Sequence, residues 1–469
     1  MNTLNQNNKI PLFQRMAEFF FIIYLITLYL FVDRDETLII SNIAFVLFAG
    51  CALFRIMQRK RIYIGKNMLT AYIAFTWMQA TTFWASSTYL ASDRMKTMWL
   101  LFVLFFITYN LFYEKEDAHE YLLKSFYIAG IALIGYSIKT YGISEVINMM
   151  TNESGVRLGK EINQENSFGM MNATTIIISF YYLLHKNRYR LFHIIVASGA
   201  FLYAMSSGSR KAMLMMCIGV LFLIYKKYGI KKLYKVIAVG TVAVLVFMAI
   251  IQLPMFEFIS HRMEITIDAF MGEGEGDASS RLREKMIITG WDLFKDRMLT
   301  GYGANNFCII SGYRTYSHNN FIEMLVDFGL IGFILYYSIY LMSIGTLWKK
   351  KKTESQVILI ILLIRIMMEM ALVTYYSKLQ WVILAFALLG EKAFNANTEN
   401  PEAQEYKEFY GRDKEDFYEI ENICVESEKS IYEPEACDTI PFEQGEYSTC
   451  FSGQAISQDE VSGNYGEET

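Results

Sequence analysis

Apolar runs close to the roughly 20 residues needed to cross a bilayer recur from Phe19 to about Phe394, separated mostly by short charged connections. At 19% charged residues the chain lies below the quarter usual for soluble domains. The expected fold is an all-α, polytopic integral membrane bundle of about twelve transmembrane helices. The spans read as roughly 17–32, 38–57, 67–87, 96–113, 121–140, 169–185, 191–207, 212–228, 233–254, 319–347, 356–374 and 378–394. Aromatic residues at many of their ends, among them Tyr29, Trp84, Trp99, Tyr113, Trp348 and Trp381, suit the interfacial belt.

Lysine and arginine set the expected orientation. Arg55 to Lys66, Lys186 to Arg190, Lys226 to Lys235 and Lys349 to Lys352 fall in alternate connections, which the positive-inside rule places in the cytoplasm. Both termini are then cytoplasmic, and the two longest connections, about 141–168 and 255–318, face outward. The first span follows Lys9 and Arg15 without a small-residue cleavage site, so it reads as an uncleaved anchor. The organisation is a transmembrane domain over 1–394 and a tail over 395–469. The tail holds about twenty acidic against about four basic residues, which leaves the membrane part near +12 within a net −4. Without a hydrophobic period it is expected to be a disordered, solvated appendage, with tyrosines open to regulation.

Four polar clusters fall on the expected outer side: Arg157 through Asn166, Ser206-Ser207-Gly208-Ser209-Arg210-Lys211, Ser279 through Lys285, and Gly301-Tyr302-Gly303 leading to Ser317-His318-Asn319. Outward positive charge runs against the inside bias. Guanidinium groups make planar, bidentate contacts to phosphate, though a lone arginine can simply snorkel to headgroups. Arg210 follows a tight Ser/Gly break between two spans, a demanding arrangement for snorkelling alone. The stretch 280–298 repeats Leu282, Met286, Ile287, Trp291, Phe294 and Met298 at helical steps. It reads as an amphipathic helix capped by Ser279 or Ser280, lying on the interface or docked over the spans, with Arg281 in its first turn where anions are favoured. Gly272 to Asp277 is a flexible acidic hinge without calcium-loop spacing. His318 titrates near neutrality and can take a proton from a hydroxyl.

Other chemistry finds little support. Cys51 and Cys217 lie in spans and Cys308 stands alone outside, so no disulfide framework is available. Cys424, Cys437 and Cys450 are too widely spaced for zinc. No phosphate loop or nucleophile elbow occurs, and no nucleic-acid partner is indicated. Asp33-Arg34-Asp35-Glu36 is the one acidic rival as a metal site; such short loops are usually just solvated.

The four clusters, in this order across residues 150–345, resemble the O-antigen ligase and O-antigen polymerase family of bacterial membrane proteins. The likeness is strongest in Gly208-Ser209-Arg210-Lys211, in Arg281 through Gly303, and in Ser317-His318-Asn319 through Gly329-Leu330-Ile331-Gly332. The resemblance implies a plasma-membrane glycosyltransferase that joins glycans carried on undecaprenyl pyrophosphate at the outer face, inverting and without metal or cofactor. By motif, His318 is then the general base and Arg210 and Arg281 bind pyrophosphate. Arg157, Asn166 and Asn319 are further substrate contacts, and Arg283 is easily confused with Arg281. A repeat-unit polymerase for a surface or capsular polysaccharide is the favoured reading, with a ligase passing the glycan to an acceptor such as lipid A core as the alternative. A flippase and a chain-length regulator are the implied partners, beside membrane lipid. A polysaccharide transporter is the reading from a different class. Its best support is Arg365 and Glu369, four residues apart inside one span and able to pair.

A reporter fused after Lys227 or Lys351 is expected to signal cytoplasm, and one near Gly274 the outer side; an outer signal at Lys351 would put His318 in the wrong compartment.

Overall fold

The computed structural model describes residues 10–31, 37–151, 157–186, 188–229 and 278–390, with residues 234, 238, 241 and 249. The ninth expected span (233–254), most of the large outer connection with the Gly272–Asp277 hinge, the Asp33–Glu36 rival and the tail lie outside the described residues.

The described residues contain helices and no strand. They run α1 (Leu12–Phe31), α2 (Leu38–Arg59), α3 (Lys66–Ala80), a 3₁₀ turn (Thr81–Trp84), α4 (Thr88–Phe112), α5 (Ala118–Thr151), α6 (Glu165–His185), α7 (Arg190–Ser206) and α8 (Arg210–Tyr228). After the gap come α9 (Ala278–Asp296), a single turn (Phe307–Ile310), α10 (Asn320–Trp348), α11 (Thr353–Met368) and α12 (Lys378–Ala387). Every expected span that falls in described residues is a helix. Six helices, α1, α2, α4, the Ala118–Gly142 part of α5, α6 and α10, are long and apolar enough to cross a membrane. Others are shorter than expected. α3 gives way to the 3₁₀ turn after Ala80, and α11 stops at Met368 before a polar connection.

The distribution of apolar side chains is that of a lipid-facing bundle. Between α1 and α2, Phe21 and Phe48 meet at 5.3 Å, while Ala44 and Ala52 bring the backbones close and are buried. The opposite face of α2 carries Ile39, Ile43, Val46, Leu47, Leu53 and Met57, all exposed. A helix apolar on both faces satisfies the inner one by packing and the outer one by lipid. α7 repeats this with exposed Leu191, Ile194 and Ile195.

Ion pairs join the basic connections at one end of the bundle. Arg59 meets Glu114 at 3.4 Å, Lys115 meets Glu18 at 3.1 Å, and Lys186 bridges Glu120 and Glu354 at 3.2 and 3.7 Å. Because α6, α8 and α10 run the length of the bundle, the segments leading into Glu165, Arg210 and Asn320 lie at the other end.

At that other end two stretches of backbone touch. Tyr302 N donates to Val326 O (2.9 Å), Gly303 N to Asp327 O (2.8 Å) and Leu330 N to Met298 O (2.8 Å). α10 is broken at Gly329, which has φ 68° and ψ −176°, a region essentially reserved for glycine. A Cβ there would lie 2.2 Å from Leu299 O, and one on Gly301 would lie 2.6 Å from Asp327 O. Trp77 Nε1 donates to the Phe328 carbonyl (3.0 Å) that the break exposes. Glycines in the Gly301–Gly303 and Gly329–Gly332 motifs therefore serve close backbone approach.

Arg365 and Glu369 do not form the ion pair expected of them. Arg365 donates to Gln380 Oε1. Glu369, fully buried, accepts from Tyr337 (2.8 Å), Tyr340 (2.6 Å), Thr374 and Asn320 Nδ2 (3.1 Å). Hydroxyl and amide donors saturate the carboxylate, so the spacing alone misled.

Gly329→Ala is expected to lower the thermal midpoint in detergent by several degrees, the backbone conformation alone costing about 1–3 kcal/mol. Gly345→Ala, in the same helix with no atom within 4 Å of the added methyl, is the control and should be neutral or slightly stabilising.

Candidate active site

α6 to α10 assemble the site from four separate segments. The approach to α6 supplies Arg157, whose Nε donates to Ser207 O (2.8 Å) and whose Nη2 donates to Asn166 Oδ1 (3.0 Å). Leu158 N also donates to Ser206 O (3.0 Å), so the 157–158 strand of chain lies against the turn between α7 and α8. That turn is shaped by Gly208 at φ 57° and by Ser209, the N-cap of α8. A methyl on Gly169 would strike Ser207 Oγ at 2.4 Å, which shows how tightly α6 supports the turn.

Arg210 and Lys211 are the first residues of α8. Cations at a helix N-terminus oppose the helix dipole, by about 0.3–1 kcal/mol each at exposed sites. The pair gathers positive potential where the helix N-terminus already favours anions. Lys211 Nζ donates to Ala371 O, and Arg283, Arg157 and Arg210 all lie close enough to press on its charge.

α9 packs on α10 through Met286, Gly290 and Phe294 against Phe307, Ile322 and Val326. Arg283 precedes Met286 by three residues and so shares this inward stripe, and it is half-buried. Arg281, two residues earlier, falls on another side of the helix and is exposed. The sequence reading favoured Arg281; the helix phase brings Arg283 to the cluster instead. Lys211, like Arg283, was not among the expected ligands. The helical repeat could have found Arg283, because it continues the buried stripe toward the N-terminus.

His318 stands immediately before α10, at φ 58°, with its ring 4.3 Å from that of Tyr316. It is half-buried, and among the described residues no hydrogen bond to its imidazole is found. Burial first, then the charges of Arg283 and Lys211, push its pKa down to about 4. The titration near neutrality expected from the sequence is therefore displaced, and the ring is neutral at physiological pH. Asn319 also departs from expectation. Its Oδ1 accepts from Phe321 N (2.9 Å) and Ile322 N (3.1 Å). The side chain caps α10, and that oxygen is committed to the helix. Asn166 likewise serves first to orient Arg157.

The arrangement can bind a multiply charged anion between Arg157, Arg210, Lys211 and Arg283, and it offers a neutral imidazole beside it. Among the described residues no group of His, Cys, Asp and Glu is placed to hold a metal ion. Residues 194–337, from α7 to within α10, match the family model described as O-Antigen ligase. No curated protein matches the chain. The family match covers the α7–α8 turn, Arg210, Lys211, α9 and His318, and it upholds the resemblance to an O-antigen ligase/polymerase-type membrane enzyme; Arg157 and Asn166 lie before it.

Loss of activity is expected to be larger in Arg283→Ala than in Arg281→Ala. Because the Arg283 charge adds to burial in holding the His318 pKa down, its removal should also move the acid limb of kcat/KM up from about pH 4. A limb that stays in place would separate Arg283 from His318.

Proposed function

We propose that this O-antigen ligase/polymerase-like protein transfers a glycan from a lipid-linked pyrophosphate donor to a sugar hydroxyl at the outer face of the plasma membrane. The observation that carries the reading is the convergence of Arg157, Arg210, Lys211 and Arg283 with the neutral imidazole of His318. Pyrophosphate is the anion such a cluster suits, because planar guanidinium forks match phosphate oxygens. A lipid carrier would present it at this end of the bundle. Arg281, exposed on the same helix, remains a more distant candidate.

In the proposed reaction the acceptor oxygen attacks the anomeric carbon while His318 takes its proton. The bond from that carbon to the pyrophosphate oxygen breaks, and the electron pair leaves with the pyrophosphate. The arginines stabilise the charge that develops there; in analogous sites the loss of one such donor costs about 10²–10³ in rate. Pyrophosphate is a good leaving group, so no general acid is needed. A pKa near 4 makes His318 a weak base but one that is unprotonated at working pH. The bound anion would raise that pKa in the complex, improving the base once the donor is in place.

A repeat-unit polymerase, using a second lipid-linked unit as acceptor, is the preferred form, making undecaprenyl-pyrophosphate-linked oligosaccharide the substrate. The ligase form has specific support in the matched family description. Supplying purified protein with lipid-linked repeat units alone separates the two: chain growth requires a polymerase. The transporter reading loses its main support, since Arg365 and Glu369 each bond to other side chains rather than to each other.

His318→Ala is expected to lower coupling by about 10²–10⁴ with donor binding nearly intact, and His318→Gln should be equally inactive. Arg210→Ala should abolish polymer with protein still in the membrane, and Arg210→Lys should rescue poorly because the bidentate fork is lost. Chain growth by the glutamine variant at the native rate would remove His318 from catalysis.

A further inference from the structure

We infer that Glu323 is a positioning residue for His318, resting on the reading of His318 as the base. Glu323 is in the first turn of α10 and its side chain is almost wholly inaccessible, at 1% exposed. A carboxylate so enclosed is costly unless its oxygens have donors. Its Oε2 accepts from the backbone N–H of Ser317 at 2.7 Å, reaching back past the N-cap to the residue before His318. Ser317, also buried, completes a closed loop of bonds: its Oγ donates to Asn319 O (2.8 Å) and accepts from Asn319 N (3.2 Å). Glu323 N in turn donates to Asn319 O (2.9 Å).

His318 is the one residue between these two anchors. Its φ of 58° is a conformation that a residue with a Cβ adopts at a cost of about 1–3 kcal/mol, and it persists only where neighbours determine it. The flanking amide of Ser317 and the carbonyl of Asn319 are both tied, directly or through the Ser317 hydroxyl, to the first turns of α10. Glu323 thereby fixes the backbone that aims the imidazole, and among the described residues its side-chain hydrogen bond goes to that backbone and not to the ring.

The carboxylate is held in turn by its surroundings. Arg94 of α4 acts on Glu323 and Asp327 with its positive charge and donates to Asn305 Oδ1 at 3.1 Å. One turn along α10, Asp327 accepts from the N–H groups of Asn305 (2.6 Å), Asn306 (3.1 Å) and Phe307 (3.0 Å). Two carboxylates on one face of α10 thus hold the two ends of the 305–317 connection, and only the Glu323 end bears the proposed base.

The test is the steady-state kinetics of the full-length protein with its lipid-linked donor, comparing Glu323→Ala, Glu323→Gln and His318→Ala. Removing the clamp should lower kcat by about 10–10², the scale of a misplacement near 1 Å, with KM for the donor within about twofold because the arginines still hold it. Glutamine keeps an acceptor oxygen for Ser317 N–H and should restore kcat to near the native value. A native kcat in Glu323→Ala beside an inactive His318→Ala overturns the positioning role and leaves the base in place. A Glu323→Gln as inactive as the alanine variant also overturns it, since the charge rather than the hydrogen bond would then matter. Native activity in His318→Ala overturns the reading of the base itself. Should Glu323→Ala not accumulate in the membrane, Glu323→Asp keeps the charge but withdraws the acceptor from Ser317 N–H by one methylene and is judged by the same fall in kcat at constant KM; an unchanged kcat there overturns the role.

Discussion

The crossing of Gly301–Gly303 over Asp327–Gly329 is the contact on which the site end of this protein depends. Two backbones approach so closely that a methyl on either side would overlap a carbonyl, and three amide hydrogen bonds seal the contact. The buried Asp327 carboxylate then gathers three more amides from Asn305 to Phe307. Buried backbone donors must be paired somewhere. Here an irregular connection meets that demand without joining a helix or a sheet. With it fixed, α9 packs on α10, and Arg283 and His318 arrive at the same place.

Electrostatically the site is built against local preference. Arg210 and Lys211 open a helix where carboxylates are normally favoured, and Arg283 adds its charge from a second helix near its own N-terminus. The cost is spread over several elements, each held by unrelated packing: Gly169 against Ser207, Met286 and Phe294 against α10, Lys211 to the carbonyl of Ala371. A cluster maintained in this way has an unmet preference for an anion. Burial, reinforced by the charges of Arg283 and Lys211, keeps His318 neutral, so an anion bound among these cations would act on the imidazole through charge rather than through movement.

Much of this was legible in the chain. Apolar runs of spanning length located the bundle helices that fall in the described residues, the amphipathic period located α9, and the arginines and His318 marked the polar end, while the single turn Phe307–Ile310 was not foreseen. What the sequence did not give was phase and partnership. Arg281 and Arg283 are equivalent in a motif and differ only by helix rotation. Arg365 and Glu369 have pairing distance along a helix, but the tyrosines that claim Glu369 come from α10, some 30 residues earlier in the chain. Glu323 and Asp327 passed as unremarkable residues of a span, because their partners are backbone amides of a connection whose path no periodicity reveals. The pKa of His318 was equally hidden, since it is set by burial and by charges remote in sequence.

The break at Gly329 also bears on where chemistry sits relative to the bilayer. By hydropathy α10 is a single 29-residue span, longer than a hydrocarbon core of roughly 30 Å requires. After Gly329 the continuous stretch Leu330–Trp348 is about 28 Å long at 1.5 Å per residue, enough to cross that core unaided. The turns before the glycine, with their two buried carboxylates, are therefore more than the length the hydrocarbon requires. A glycine at one position in a helix thus divides it into a length that suffices for the bilayer and a remainder left free to build the polar end that includes His318.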